Sequence, residues 1–192
     1  MDPDRWLERW LPLVAAHAKH SVVLQLGCGS GDDAAALCDA GLDVVGLDIS
    51  AEAVAAGRAK APRARIYHQD LREPFPEPMA RIGVVVASYS LHYFDWPETI
   101  ALVARIRQNL THPGLMLCQV SSTNDEQYGA RGNAQISENY FLIGDQPRRF
   151  FDRESIITLF ARGWHLLSME ERVIDDRFVP ETIWEVVLQT EV

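Results

Sequence analysis

The most constraining stretch of this chain is a glycine-rich turn between an apolar run and a helix-forming run. Val22-Val23-Leu24-Gln25-Leu26 is mostly apolar and of strand length. Gly27, Gly29 and Gly31 follow at alternate positions, and Asp32-Asp33-Ala34-Ala35-Ala36-Leu37 then opens a helix. A turn so rich in glycine lets the backbone approach a ligand without Cβ clashes, and it aims free N–H groups outward.

Strand-like and helix-like patterns alternate through the rest of the chain, which predicts an α/β fold with a parallel sheet between helices. Residues 44–47 form the second strand, after a helix that Gly41 ends as a C-terminal cap. Ser50 is placed to cap a helix from Ala51 to about Lys60, with Glu52 in its first turn, and Pro62 stops it. A short strand at 66–69 ends at Asp70. Three prolines at alternate positions in 72–78 make that segment a surface loop.

Residues 84–87 are continuously apolar, the pattern of a strand buried on both faces. Asp95 and Glu98 are spaced as a capping box for a helix at about 97–110. His112-Pro113-Gly114 predicts a turn into a fifth strand at 115–120. From 121 to 151 the pattern weakens, so this segment is expected to be a lid or substrate loop. Asp152 caps a helix to about Arg162, and Gly163 ends it. The runs 164–174 and 182–189 read as the last two, paired strands. Trp6, Leu7, Trp10, Leu11 and Val14 give an apolar face to an N-terminal helix within residues 1–20, a packing helix or a cover over a ligand.

The 192 residues suit a single domain. A net charge of −9, with lysine and arginine scattered, argues against a nucleic-acid partner. No apolar run approaches the roughly 20 residues of a membrane helix, and the first residues lack the layout of a signal peptide. Cys28, Cys38 and Cys118 read as reduced thiols, so a cytoplasmic protein is expected. No cysteine–histidine cluster suggests a metal site.

Further polar residues fall at the C-terminal ends of the strands, the edge where open α/β sheets place ligands. Asp48 ends the second strand, where a carboxylate can accept from two ribose hydroxyls. Asp70 ends the third, positioned to accept from an exocyclic amine. Ser88 lies at the end of the fourth, followed by Leu91-His92-Tyr93-Phe94. The glycine spacing is G-x-G-x-G rather than the G-x-G-x-x-G of dinucleotide sites.

Gly27-Cys28-Gly29-Ser30-Gly31, Gly46-Leu47-Asp48-Ile49-Ser50, His68-Gln69-Asp70-Leu71 and Ser90-Leu91-His92-Tyr93-Phe94 together resemble the ordered motifs of class I S-adenosylmethionine-dependent methyltransferases. The remainder is loosely similar to the tellurite-resistance type. The resemblance implies a Rossmann-like three-layer sandwich, with a seven-stranded, mostly parallel sheet whose last strand is antiparallel. It implies S-adenosylmethionine as cofactor. Gly27, Gly29 and Gly31 would pass near its methionine portion, Asp48 with Ile49 would hold the ribose, Asp70 with Leu71 the adenine, and Ser88 would border the sulfonium. Gln25 stands where the family usually has a carboxylate beside the cofactor ammonium.

His92, Tyr93 and Tyr128 are the acceptor-side candidates. His92 can serve as a general base near neutrality, and tyrosine rings can line an acceptor pocket or face a cation. The expected function is methyl transfer to a small molecule, with a homodimer left open. The alternatives are a cofactor-binding regulator without transfer activity and an NAD(P)-dependent oxidoreductase on a Rossmann sheet.

Overall fold

The computed structural model describes residues 6–76, 81–125, 132–175 and 180–191. The chain begins with a 3-10 turn, Trp6–Trp10, that passes into helix α1 (Leu11–His17). Pro12 explains the change: proline has no N–H to give, and it is tolerated only in the first turn of an α-helix. Next come β1 (Val22–Leu26), α2 (Asp32–Asp39), β2 (Val44–Asp48), α3 (Ala51–Lys60) and β3 (Arg65–His68). The Ser50 hydroxyl accepts from the Ala53 N–H and caps α3 as the sequence predicts.

After β3 the chain runs without a helix as far as residue 76 and resumes in β4 (Ile82–Ser88). A 3-10 turn at Leu91–Tyr93 leads into α4 (Trp96–Asn109), whose start carries the full capping box of Asp95 and Glu98. Such a cap contributes about 1 kcal/mol. β5 (Leu110–Ser121) follows directly, so His112-Pro113-Gly114 lies inside the strand span and marks an irregular register against β4.

The expected loop at 121–151 is instead built partly as strands. β6 (Ala134–Ser137), β7 (Tyr140–Ile143) and β8 (Gln146–Arg149) form a separate antiparallel sheet in the order β6-β7-β8. Short and exposed at every position, β6 alternates over only four residues, Ala134-Gln135-Ile136-Ser137, too few to announce a strand. Helix α5 (Arg153–Leu159) ends earlier than residue 162, with Phe160 as its C-cap. The chain closes with β9 (Trp164–Ile174) and β10 (Glu181–Thr190).

The main sheet has seven strands in the order β3-β2-β1-β4-β5-β10-β9. The first five are parallel, and β10 pairs antiparallel with both β5 and β9. This is the Rossmann-like sandwich with an antiparallel last strand.

Side-chain alternation on the central strands builds two cores. Val22, Leu24 and Leu26 face the layer of α4 and α5, where Leu102, Ile106 and Ile156 meet them. Val23, Val84 and Val86 face α1 and α2 through Val14, Ala34 and Leu37. Burying such a side chain fully is worth about 1.5–3 kcal/mol, which pins β1 at the middle of the sheet and the glycine turn at its C-terminal edge. Among the described residues no helix is long and apolar enough to cross a membrane.

Candidate active site

A cleft of about 1390 Å³ opens along the C-terminal edge of the main sheet. It exceeds the about 300–1,000 Å³ of an ordinary small-molecule site, so it has room for two ligands side by side. Of the residues predicted from sequence for the donor, Gln25, Gly27, Gly29, Asp48, Ile49, Asp70, Leu71 and Ser88 line it.

Asp48 is the fixed point of the site. Its Oδ2 accepts the Gly29 N–H at 2.8 Å and its Oδ1 accepts the Ser50 N–H at 2.8 Å. Both oxygens retain lone pairs for further donors, and two backbone bonds hold the carboxylate without a flexible partner. Beside it, a Cβ on Gly29 would meet nothing within 4 Å, so the glycine borders open space. With φ at +50° its backbone favours glycine even though the space is free.

Gly31 has a different task. A Cβ there would lie 2.8 Å from the Cα of Gly57 in α3, and Gly31 is not among the residues that line the cleft. It lets the start of α2 pack onto α3. Spacing alone groups it with the other two glycines, whereas its partner lies 26 positions further on and only the fold reveals it.

Gln25, on β1 and 2% exposed, lines the cleft with its Oε1 unbonded. A buried amide oxygen without a donor is costly, and an ammonium group reaching it would satisfy it. Ser88 donates to Gln119 Oε1 at 2.8 Å, so its hydroxyl proton is engaged and its lone pairs remain. The Cys28 thiol, against the same wall, is pushed up to about 11 by burial and by the charge of Asp48, and stays protonated.

Asp70 accepts the Arg72 N–H at 2.9 Å. The loop that follows is held from α4 by Arg105, which donates to the carbonyls of Leu71 at 2.6 Å, Arg72 at 3.0 Å and Glu73. Arg72 in turn pairs with Glu98 at 2.7 Å and lies 4.9 Å over the Phe94 ring. These guanidinium clamps brace a segment that has no helix of its own to rest on. Sequence reasoning missed Arg105, since one arginine on an exposed helix face carries no signal.

On the acceptor side, Tyr93 lines the cleft, but His92 does not. His92 is 1% exposed, with Nδ1 3.2 Å from the Ser121 hydroxyl and Nε2 unbonded. Burial, and then the positive charge of Arg148, pull its pKa down to about 3, so the ring is neutral at pH 7. The Tyr93 ring stands against it edge-on at 4.4 Å. The histidine read as a base thus lies behind the cleft wall. Tyr128 lies outside the described residues.

The other walls come from the N-terminal segment, for which a cover over a ligand is one expectation, and from within the segment 121–151, expected as a lid or substrate loop. Trp6, Leu7, Glu8 and Leu11 of the N-terminal segment cover one side, and Gln146 and Pro147 of β8 close another. Tyr89, at the end of β4, turns into the wall with φ at +53°, a strained setting for an aromatic residue.

The fold is Rossmann-like, and its cleft joins a glycine turn after the first strand to an acidic residue at the end of the second. A family model described as the methyltransferase domain matches residues 23–114.

The chain is 31% identical over 90 residues to the tetracenomycin polyketide synthesis 8-O-methyl transferase of Streptomyces glaucescens, which covers 47% of this chain and 26% of that protein. It is 44% identical over 85 residues to a probable S-adenosylmethionine-dependent methyltransferase of Mycolicibacterium smegmatis, covering 44% of this chain and 33% of that one. The chain thus spans about a quarter to a third of the length of these relatives. A solved SAM-dependent methyltransferase from Methanosarcina mazei superposes with a TM-score of 0.79 at 15% identity, over 94% of this chain and 98% of the other. Residues 23–114 thus match a methyltransferase domain, and the chain as a whole shares the fold of that solved structure.

Proposed function

We propose that this chain transfers a methyl group from S-adenosylmethionine to a small-molecule acceptor. The observation that carries this reading is the Asp48 carboxylate, locked by two backbone N–H groups with lone pairs left over, beside the open space at Gly29. Asp48 would accept from the ribose hydroxyls, with Ile49 alongside. Asp70 and Leu71 would border the adenine, and the orphaned Gln25 Oε1 would accept from the ammonium. When bound, the cofactor supplies an activated methyl group on a sulfonium, so the protein's task is chiefly to bind, align and exclude water.

The aromatic end of the cleft at Tyr89, Tyr93 and Phe94 would receive the acceptor. Neutral and buried, His92 would act as a positioning residue that sets the Tyr93 ring. A small-molecule acceptor accords with the relative named for polyketide synthesis. The free, buried thiols of Cys28, Cys38 and Cys118 suit a reducing, cytoplasmic setting.

Calorimetry with S-adenosylhomocysteine tests the donor site. Asp48→Ala removes both ribose acceptors and is expected to weaken binding about 10- to 100-fold. Unchanged affinity would place the ribose elsewhere and overturn the assignment.

A further inference from the structure

Next to the aromatic end of the cleft stands a charge that the donor site does not use, Arg148. It does not itself line the cleft but packs over Tyr93, which does. β8 brings Gln146 and Pro147 to the cleft wall, and Arg148 follows on the same strand. The Arg148 guanidinium lies 6.0 Å from the centre of the Tyr93 ring, and Tyr93 itself lines the cleft. Partly buried, Arg148 forms no ion pair with any carboxylate among the described residues.

Its neighbour Arg149 is tied down. Arg149 donates to the carbonyls of Phe94 and Glu138, both at 3.2 Å, and its guanidinium lies over the rings of Trp96 and Tyr140. The backbone that carries Arg148 is therefore fastened to the turn that carries Tyr93.

Behind the same tyrosine, His92 Nε2 is buried and unbonded. With the ring neutral and Nδ1 against Ser121, either tautomer leaves one polar edge of this corner unsatisfied. Among the described residues the neighbourhood holds two guanidinium groups without a carboxylate partner, the half-buried Arg148 and the buried Arg149, together with the unbonded His92 Nε2 and Arg149 Nη2 and flat aromatic walls. Elsewhere the cleft is acidic, with Asp32, Asp33, Asp39, Asp48 and Asp70 along it, which suits a cationic donor. The two cations that line that stretch are engaged, Lys60 with Asp32 and Arg72 with Glu98 and Asp70, whereas Arg148 has no carboxylate partner among the described residues.

We infer that the methyl acceptor is a flat organic acid whose anionic group pairs with Arg148 beside the Tyr93 ring. The planar guanidinium fork matches a carboxylate or phosphate with two parallel hydrogen bonds, and partial burial strengthens the pair relative to open water. This inference rests on the proposed methyl transfer and adds the class of acceptor. Carboxylate and phosphate share the chemistry that Arg148 would recognise.

The test uses the full chain saturated with S-adenosylhomocysteine, titrated with benzoate, indole-3-acetate and phenyl phosphate, and with the neutral benzamide and indole-3-acetamide. The expected result is that at least one acid binds about ten- to a hundredfold tighter than its neutral counterpart. The carboxylate and phosphate arms then show which anion fits. Arg148→Gln should abolish that preference and Arg148→Lys should keep part of it, both with the wild-type melting temperature and unaltered affinity for S-adenosylhomocysteine. Equal binding of acids and neutral probes, no binding of any acid, or a preference that survives Arg148→Gln would overturn the inference. Failure of the wild type to bind S-adenosylhomocysteine would instead remove the methyl-transfer reading beneath it.

Discussion

His92 shows how burial changes what a residue can do. Its type and its place after the fourth strand suggest a base, but a ring with a pKa of about 3 has almost no proton affinity to offer at neutral pH. The same depression has a consequence for stability. As pH falls below the ordinary value of 6.5, the unfolded chain takes up a proton at this position while the folded one does not. The contribution of a neutral buried His92 is therefore complete above about pH 6.5 and is lost as pH falls toward 3, at a slope of at most on the order of 1 kcal/mol per pH unit.

Asp32 and Glu98, held below the usual carboxylate range by hydrogen bonds from Lys60 and Arg72, are also lost on acidification. Their windows open only below their ordinary values of 3.8 and 4.5. Urea unfolding between pH 6.5 and 4.5 should accordingly show falling stability for the wild type and a flatter profile for His92→Gln. Parallel profiles would mean that the ring is protonated in the folded protein.

At the scale of elements, the N-terminal segment is held by chemistry at the far side of the sheet. Arg9 bonds Glu185 and Glu170, the Trp10 indole N–H donates to Glu185 Oε1 at 2.8 Å, and Arg172 lies 3.8 Å from the other oxygen. Glu185 is 1% exposed on β10, so it needs these partners. Arg9→Ala should cost about 1–3 kcal/mol in stability and raise amide exchange across residues 6–17. Pairing it with Glu185→Gln should recover part of the loss, the signature of a direct interaction in a double-mutant cycle. Additive losses would show that Arg9 acts by packing alone.

Elements with strong local punctuation were legible from sequence. β1 and α3 sit where the glycine turn, Ser50 and Pro62 place them, and β9 starts directly after Gly163. β6 to β8 were not, since their strands are four residues each and they are held by distant contacts such as Arg149 to Phe94 and Tyr140 to Tyr93. For the site, Asp48 and Asp70 could be read because strand ends announce them. Arg105 and Gly57 could not, because each acts across a gap that no local pattern spans.

Across the whole molecule, the cleft edge is assembled from the N-terminal segment and the middle of the chain, with residues from Trp6 to Pro147 on one cleft. A ligand that bridges them should stabilise the fold as a unit. At a concentration 100 times its dissociation constant, S-adenosylhomocysteine would contribute about 2.7 kcal/mol. For a chain of this size that is a rise in melting temperature of roughly 5–10 °C. A melting curve indifferent to S-adenosylhomocysteine, but raised by a nicotinamide dinucleotide, would return the glycine turn to the dinucleotide class.

The bond between Arg9 and Glu185 also has an order in time. During synthesis the segment that covers the cleft emerges well before the strand that fastens it. The glycine turn, Asp48 and Asp70 can meet long before that clasp exists. A nascent chain therefore has the Asp48 end of the cleft without its cover, which is fastened only once β10 has slotted between β5 and β9.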